Sequence, residues 1–256
     1  MRKYFLILII ALVLFGCQNK NVAEINESSD LSEEPSYEPL LPLNSSLEIV
    51  ITPLVFSYNL KETQFESRNI SVKYADYDKV SVFWEGRARR LSANNYEIIV
   101  LNGSNLFSNI KSGSFGLLPV FWEERKSSSS SGIWISRKLF KNLRLKGNAD
   151  WRFDFRKEAP NWFLTDYGSY VVSSYEQGNL TKDMTTTYPV LLDGVATDLP
   201  AIRAEDSVGN VYYVLDDYGN PLVLEFIYNP IIAINTNSSL MLKALLSYQV
   251  IEIRTK

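Results

Sequence analysis

The sequence predicts an all-β fold, mainly antiparallel sheets arranged as a sandwich or half-barrel, with one or two short helices. Three observations carry that expectation. From residue 47 onward, short apolar or alternating runs recur between turn residues, and a period of two is the mark of half-buried strands. The stretch 186–229 separates strand-length runs by Asp193-Gly194, Val208-Gly209-Asn210 and Tyr218-Gly219-Asn220-Pro221, which are turn sequences, so it reads as a four-stranded meander. In Trp151-Arg-Phe153-Asp-Phe155 the rings alternate with charges, as expected of a sheet buried on one face and wet on the other.

At the N-terminus, Arg2 and Lys3 precede an apolar run from Phe5 to Phe15, the pattern of a secretory signal peptide over residues 1–16. Such a run spans about 16 Å as a helix, roughly half of a ~30 Å hydrocarbon core, so a permanent transmembrane helix is the weaker reading. Leu14-Phe15-Gly16-Cys17 resembles the lipobox of bacterial lipoproteins. That resemblance implies cleavage before Cys17, lipidation of its sulfur and attachment to a membrane by acyl chains, each buried methylene contributing about 0.8 kcal/mol. Gln18 stands where lipoproteins retained in the inner membrane tend to carry Asp, so the resemblance favours the outer membrane of the cell envelope.

Residues 17–46 read as the lipidated cysteine followed by a disordered acidic tether. Glu24, Glu27, Asp30, Glu33, Glu34 and Glu38 face Lys20 alone, among prolines and serines, and such a stretch buries no core. With signal and tether set aside, the body carries as many basic as acidic side chains. A neutral body argues against a nucleic-acid partner.

Within the body, the best strand runs are Leu47 to Tyr58, Ile70 to Tyr74, Val80 to Trp84, Tyr96 to Leu101, Trp151 to Phe155 and Tyr248 to Ile253. Pro53 suggests an edge position or a bulge, since proline has no amide hydrogen for a central ladder. Ser136 followed by Leu139, Phe140 and Leu143, with Gly147 beyond, reads as a capped helix. Ser239–Ser247 is a second helix candidate that periodicity does not separate from a buried strand. The serine-rich joint 126–131 divides the body into a β region at 47–125 and a second at 132–256 with the short helices.

The chain has no histidine and one cysteine. Ser-His-Asp and Cys-His catalysis, His-ligated metal and internal disulfides are thereby excluded. Asp193-Gly194 in an apolar setting is similar to the loop of aspartic proteases, but lacks the Thr or Ser between the two residues, and a hairpin turn explains it more simply. Glu205-Asp206 and Asp216-Asp217 bring carboxylates to neighbouring turns, either for calcium through oxygen ligands or as ordinary turn openers. Ser108-Asn-Ile-Lys111 has the spacing of Ser/Lys hydrolases without their other motifs. Arg87, Arg89 and Arg90 offer guanidinium groups to phosphate, or form a solvated edge or outer face. No catalytic, cofactor-binding or metal-binding residue is assigned, and Cys17 is the one functional position.

Gly132-Ile-Trp134-Ile-Ser136-Arg137 with Leu139-Phe140-Lys-Asn-Leu143, and Val214 to Leu224, resemble segments of uncharacterised bacterial envelope proteins, which implies a β-rich exported domain. The expectation is a lipid-anchored envelope protein that binds rather than catalyses, with an apolar ligand as one option and assembly with another envelope protein as the alternative. A hydrolase using carboxylates or a Ser/Lys pair stands behind both.

Overall fold

The computed structural model describes residues 39–53, 63–92, 95–108, 132–154, 175–207, 209–229 and 247–256. The chain divides into a unit of Met1–Tyr37, outside the described residues, and a unit of Glu38–Lys256 that holds every element below. Cys17, the joint 126–131 and, Ser247 excepted, the second helix candidate lie outside the described residues. Among them no helix is long and apolar enough to cross a membrane.

The body is all-β with one described helix. Strands β1 (Leu47–Pro53), β2 (Thr63–Ala75), β3 (Lys79–Ser92) and β4 (Asn95–Ser108) precede the helix α1 (Arg137–Lys146). After it come β5 (Asn148–Asp154), β6 (Tyr175–Leu192), β7 (Val195–Asp206), β8 (Val211–Leu215), β9 (Val223–Ile227) and β10 (Tyr248–Thr255). All join one ten-stranded sheet in the order β4-β3-β2-β1-β10-β9-β8-β7-β6-β5. The four-stranded meander is there as β6 to β9, antiparallel throughout. Its first turn has Asp193 at φ 50° and Gly194 at φ 81°, the positive pair that a two-residue hairpin demands.

One further pairing turns this sheet on itself. β10 meets β9 through Tyr248 and Gln249, then meets β6 in parallel through Glu252 and Ile253. β6 to β10 therefore form a closed ring. A bulge sets up the change of partner: Val50 of β1 pairs with Glu252 but Ile51 pairs with Val250, leaving Ile251 as the extra residue, and a bulge bends and re-aims its strand. The ring is fastened at the hairpin, where the amide of Thr255 donates to Asp193 Oδ1 at 2.7 Å and its hydroxyl to Oδ2 at 2.6 Å.

Of the edge position or bulge expected at Pro53, the edge is not found, and the nearest bulge is the one between Val50 and Ile51. β1 is central, between β2 and β10, and tolerates the proline because its ladder to β2 stops at Ile51, so the missing amide falls at the strand's end. The chain also docks earlier than a tether reaching residue 46 would allow. Leu41 is only 3% exposed, and its amide donates to Asp217 Oδ2 at 3.0 Å.

α1 follows the rules that foresaw it. Ser136 Oγ accepts from the amide of Leu139 at 3.2 Å, and Gly147 ends the helix at φ 74° with its amide on the Leu143 carbonyl. Leu139, Phe140 and Leu143 are its buried face, each such side chain contributing about 1.5–3 kcal/mol through burial. They join one core running from Leu41 through Ile49, Ile70, Trp84 and Phe107 to Val214, Phe226 and Ile253. The two regions separated by the serine joint thus share a single interior. Residues 132–135 lie along β9, with Ile135 N donating to Pro221 O at 3.1 Å and Val223 N to Ile133 O at 2.9 Å, so the segment before α1 and the start of β9 sit side by side.

Candidate functional site

The register of the ring places a polar line across four strands. Arg203 of β7 stands opposite Tyr213 of β8, Tyr213 opposite Glu225 of β9, and Glu225 opposite Gln249 of β10. Residues directly opposite share a face. The neighbouring line, Ala204, Tyr212, Phe226 and Tyr248, points the other way and is buried in the core. Tyr188 of β6 joins the polar line: its ring centroid lies 5.6 Å from that of Tyr213 at 49°, and its hydroxyl bonds to Glu225.

The charges at the two ends of the line differ. Arg203 is surrounded by acids, bonding to Asp183 and lying 3.7 Å from Glu205 Oε2, with Tyr213 bonded to it as well. Glu225 is half-buried and, among the described residues, in no salt bridge. Loss of water pushes its pKa up, and the Tyr188 hydroxyl opposes that only in part. Tyr188 is itself pushed up, first by burial and then by the negative charge of Glu225.

Beside this pair the wall of the ring opens. β10 has left β9 after Gln249 and reaches β6 only at Glu252, and a groove of about 690 Å³ occupies the gap. Thr186 to Leu191 of β6 form one wall, Ala196 to Asp198 and Tyr213 another, and Glu225 with Gln249 to Ile251 the third. Among the described residues, the lining holds two acids, Asp198 and Glu225, and no basic residue. Leu191 and Ile251, 44% and 37% exposed, are among the apolar residues of that lining. The site therefore offers hydroxyls, an amide and carboxylates next to apolar contact, a set suited to orienting a ligand by hydrogen bonds.

The positions singled out in the sequence lie elsewhere. Asp193 and Gly194 make the hairpin turn, and the Asp193 carboxylate is bound by Thr255, which holds its pKa below the usual range. Asp206 accepts from the Asn210 amide at 2.9 Å and from the Tyr212 hydroxyl at 2.8 Å, stabilising the turn from β7 to β8. Asp217 accepts from Gly219 N at 2.8 Å as well as from Leu41. Asp193, Asp206 and Asp217 are thus engaged at their own turns, and among the described residues no group of three or more metal-binding side chains gathers. Ser108 ends β4, while Lys111 lies outside the described residues. Arg87 is exposed on β3 opposite Val100, with Arg89 in register with Ile98; Val100 and Ile98 are 64% and 61% exposed. β3 is not an edge strand: β4 covers that side.

Sequence reasoning missed Tyr188, Glu225 and Gln249, because only the ring brings three strands together. One signal was present: Glu225 is the single charge within Leu222 to Tyr228, and a charge inside a buried run calls for a partner. Comparison of the chain with protein-family models, curated proteins and solved structures finds no match.

Proposed function

We propose that this chain is a bacterial envelope protein, held at a membrane by lipid on Cys17 with the outer membrane favoured, that acts by binding at the groove beside Tyr188 and Glu225. The observation carrying the binding role is a half-buried carboxylate that, among the described residues, is in no salt bridge and stands at an open groove. The anchor rests on the lipobox resemblance at Leu14 to Cys17. The groove's acids argue for a ligand with polar as well as apolar groups, since a wholly apolar molecule would strip water from Glu225 and give nothing back. Its openness, with Leu191 and Ile251 in the lining, favours part of a larger molecule, which unites the binding role with assembly on another envelope component.

Two measurements in cells test this. Wild-type protein is expected in the membrane fraction with added acyl mass, and Cys17→Ser in the soluble fraction. Identical fractionation of both, with no acyl mass on the wild type, refutes the anchor. A photo-crosslinking residue at Thr187 in the groove is expected to capture a cell component that the same residue at exposed Lys138 on α1 does not. Equal capture at the two positions refutes the groove as the binding surface.

A further inference from the structure

We propose that the groove receives an extended polypeptide segment carrying a lysine or arginine, laid along β6 with its cation against Glu225. This rests on the groove being the binding surface and goes on to name its occupant.

The backbone supports an added strand. β5 pairs with β6 as far as Thr181, and β10 joins it only at Leu191. Between those points, among the described residues, β7 is the only strand paired with β6. The amide of Lys182 is already engaged by the Gly147 carbonyl at 2.7 Å, which closes one end of that stretch. Eight residues remain, about 26 Å of strand at ~3.3 Å per residue. Across the gap, Val250 and Ile251 fall between the β9 and β6 ladders of β10. A peptide entering the gap meets strand edges of the kind that peptide-binding domains extend by one strand. Pro189 has no amide hydrogen, so pairing is confined to the residues before it, and unlimited edge-to-edge association is disfavoured.

Charge and side-chain alternation select the peptide. An extended segment sends every second side chain to the same face, so one residue faces Tyr188 and Glu225 while its neighbours turn outward. Among the described residues the lining carries only negative charge: Glu225 on the face of Tyr188, and Asp198, opposite Pro189, on the alternate face. The cation nearest in the polar line, Arg203, is held by Asp183 and Glu205. A lysine or arginine on the incoming strand supplies the missing counter-charge, as a charge-assisted hydrogen bond in partly dry surroundings. An acidic segment meets like charge and is rejected.

The probe is a set of blocked peptides of about seven residues, alternating valine and threonine around a central Lys, Arg, Leu or Glu, with a backbone N-methylated form of the Lys peptide. Binding to the full chain is measured by calorimetry. The Lys and Arg peptides are expected to bind about tenfold or more tightly than the Leu and Glu peptides. Glu225→Gln is expected to abolish that preference, with circular dichroism confirming that the variant folds. N-methylation is expected to cost about tenfold through the lost backbone bonds. Equal binding of Lys and Glu peptides, no binding of any, or indifference to N-methylation overturns the proposal. The Thr187 crosslink separates its failure from that of the groove: capture of a lipid or glycan leaves the groove as the binding surface and removes the peptide, whereas capture no greater than at Lys138 removes both.

Discussion

Tyr188 gives its hydroxyl to Glu225 across the ring, joining β6 to β9, strands that are not neighbours in the ladder. Burial makes the carboxyl harder to ionise in the folded protein than in the unfolded chain. Its contribution to stability is then complete below the ordinary glutamate value and is lost as pH rises through the raised folded value. Glu225→Gln retains an acceptor for Tyr188 and does not titrate. Melting temperatures of the two proteins are expected to diverge in favour of the variant as pH is raised from about 4 to neutrality. Parallel curves would show that the carboxyl is not desolvated.

Tyr188→Phe removes a hydrogen bond that favours ionised Glu225. The variant is expected to lose about 1 kcal/mol near neutral pH. Its stability should also fall over a higher pH range than that of the wild type, because burial then acts on Glu225 unopposed. An unshifted profile would mean that the bond does not govern the carboxyl. Since Phe keeps the ring beside Tyr213, any effect belongs to the hydroxyl.

Asp217 holds the start of the folded body in place. Fully buried, its carboxylate accepts from Leu41 N at 3.0 Å, Gly219 N at 2.8 Å and Asn220 N at 3.3 Å. Asn220 returns a bond from its side-chain amide to the Leu41 carbonyl at 3.0 Å and accepts from Trp134 Nε1 at 2.8 Å. Asp217→Ala leaves buried amides without acceptors, at a cost of about 2–4 kcal/mol. Urea denaturation should report that loss, and limited proteolysis should find new cleavage between residues 39 and 47. Unchanged protease resistance there would show that Leu41 is held by packing alone.

Much of this fold is legible in the sequence because local rules suffice for it. Ser136 and Gly147 bracket α1, Asp193-Gly194 makes a hairpin, and the alternation in Val80 to Trp84 identifies β3. Two things are not local. β3 and β4 extend well past their apolar runs, into Arg89-Arg90 and Asn102 to Ser104, because each supplies the other's backbone partners along their length. The candidate site depends on β10 changing partners at the Ile251 bulge, and nothing in Tyr248 to Ile253 marks which residue will be extra. Asp193, Asp206 and Asp217 attracted attention as acids at turns and serve those turns, whereas Glu225 was concealed in a run that reads as plain strand.

Two glycines separate backbone strain from crowding. Gly132 and Gly147 have nearly the same left-handed backbone, φ 66° and 74°, so alanine at either incurs the same conformational penalty of about 1–2 kcal/mol. A Cβ on Gly147 would meet nothing within 4 Å, but one on Gly132 would come within 2.8 Å of Phe107 Cε2. That ring is fully buried and lies 6.4 Å from Trp134, centroid to centroid, so it has no room to withdraw without opening the core. Gly147→Ala is expected to lose only the backbone term, and Gly132→Ala a further ~1–3 kcal/mol from overpacking. Denaturant midpoints measured side by side decide it: equal losses would mean that Phe107 yields, and that the contact between the 132–135 segment and β4 is looser than its geometry implies.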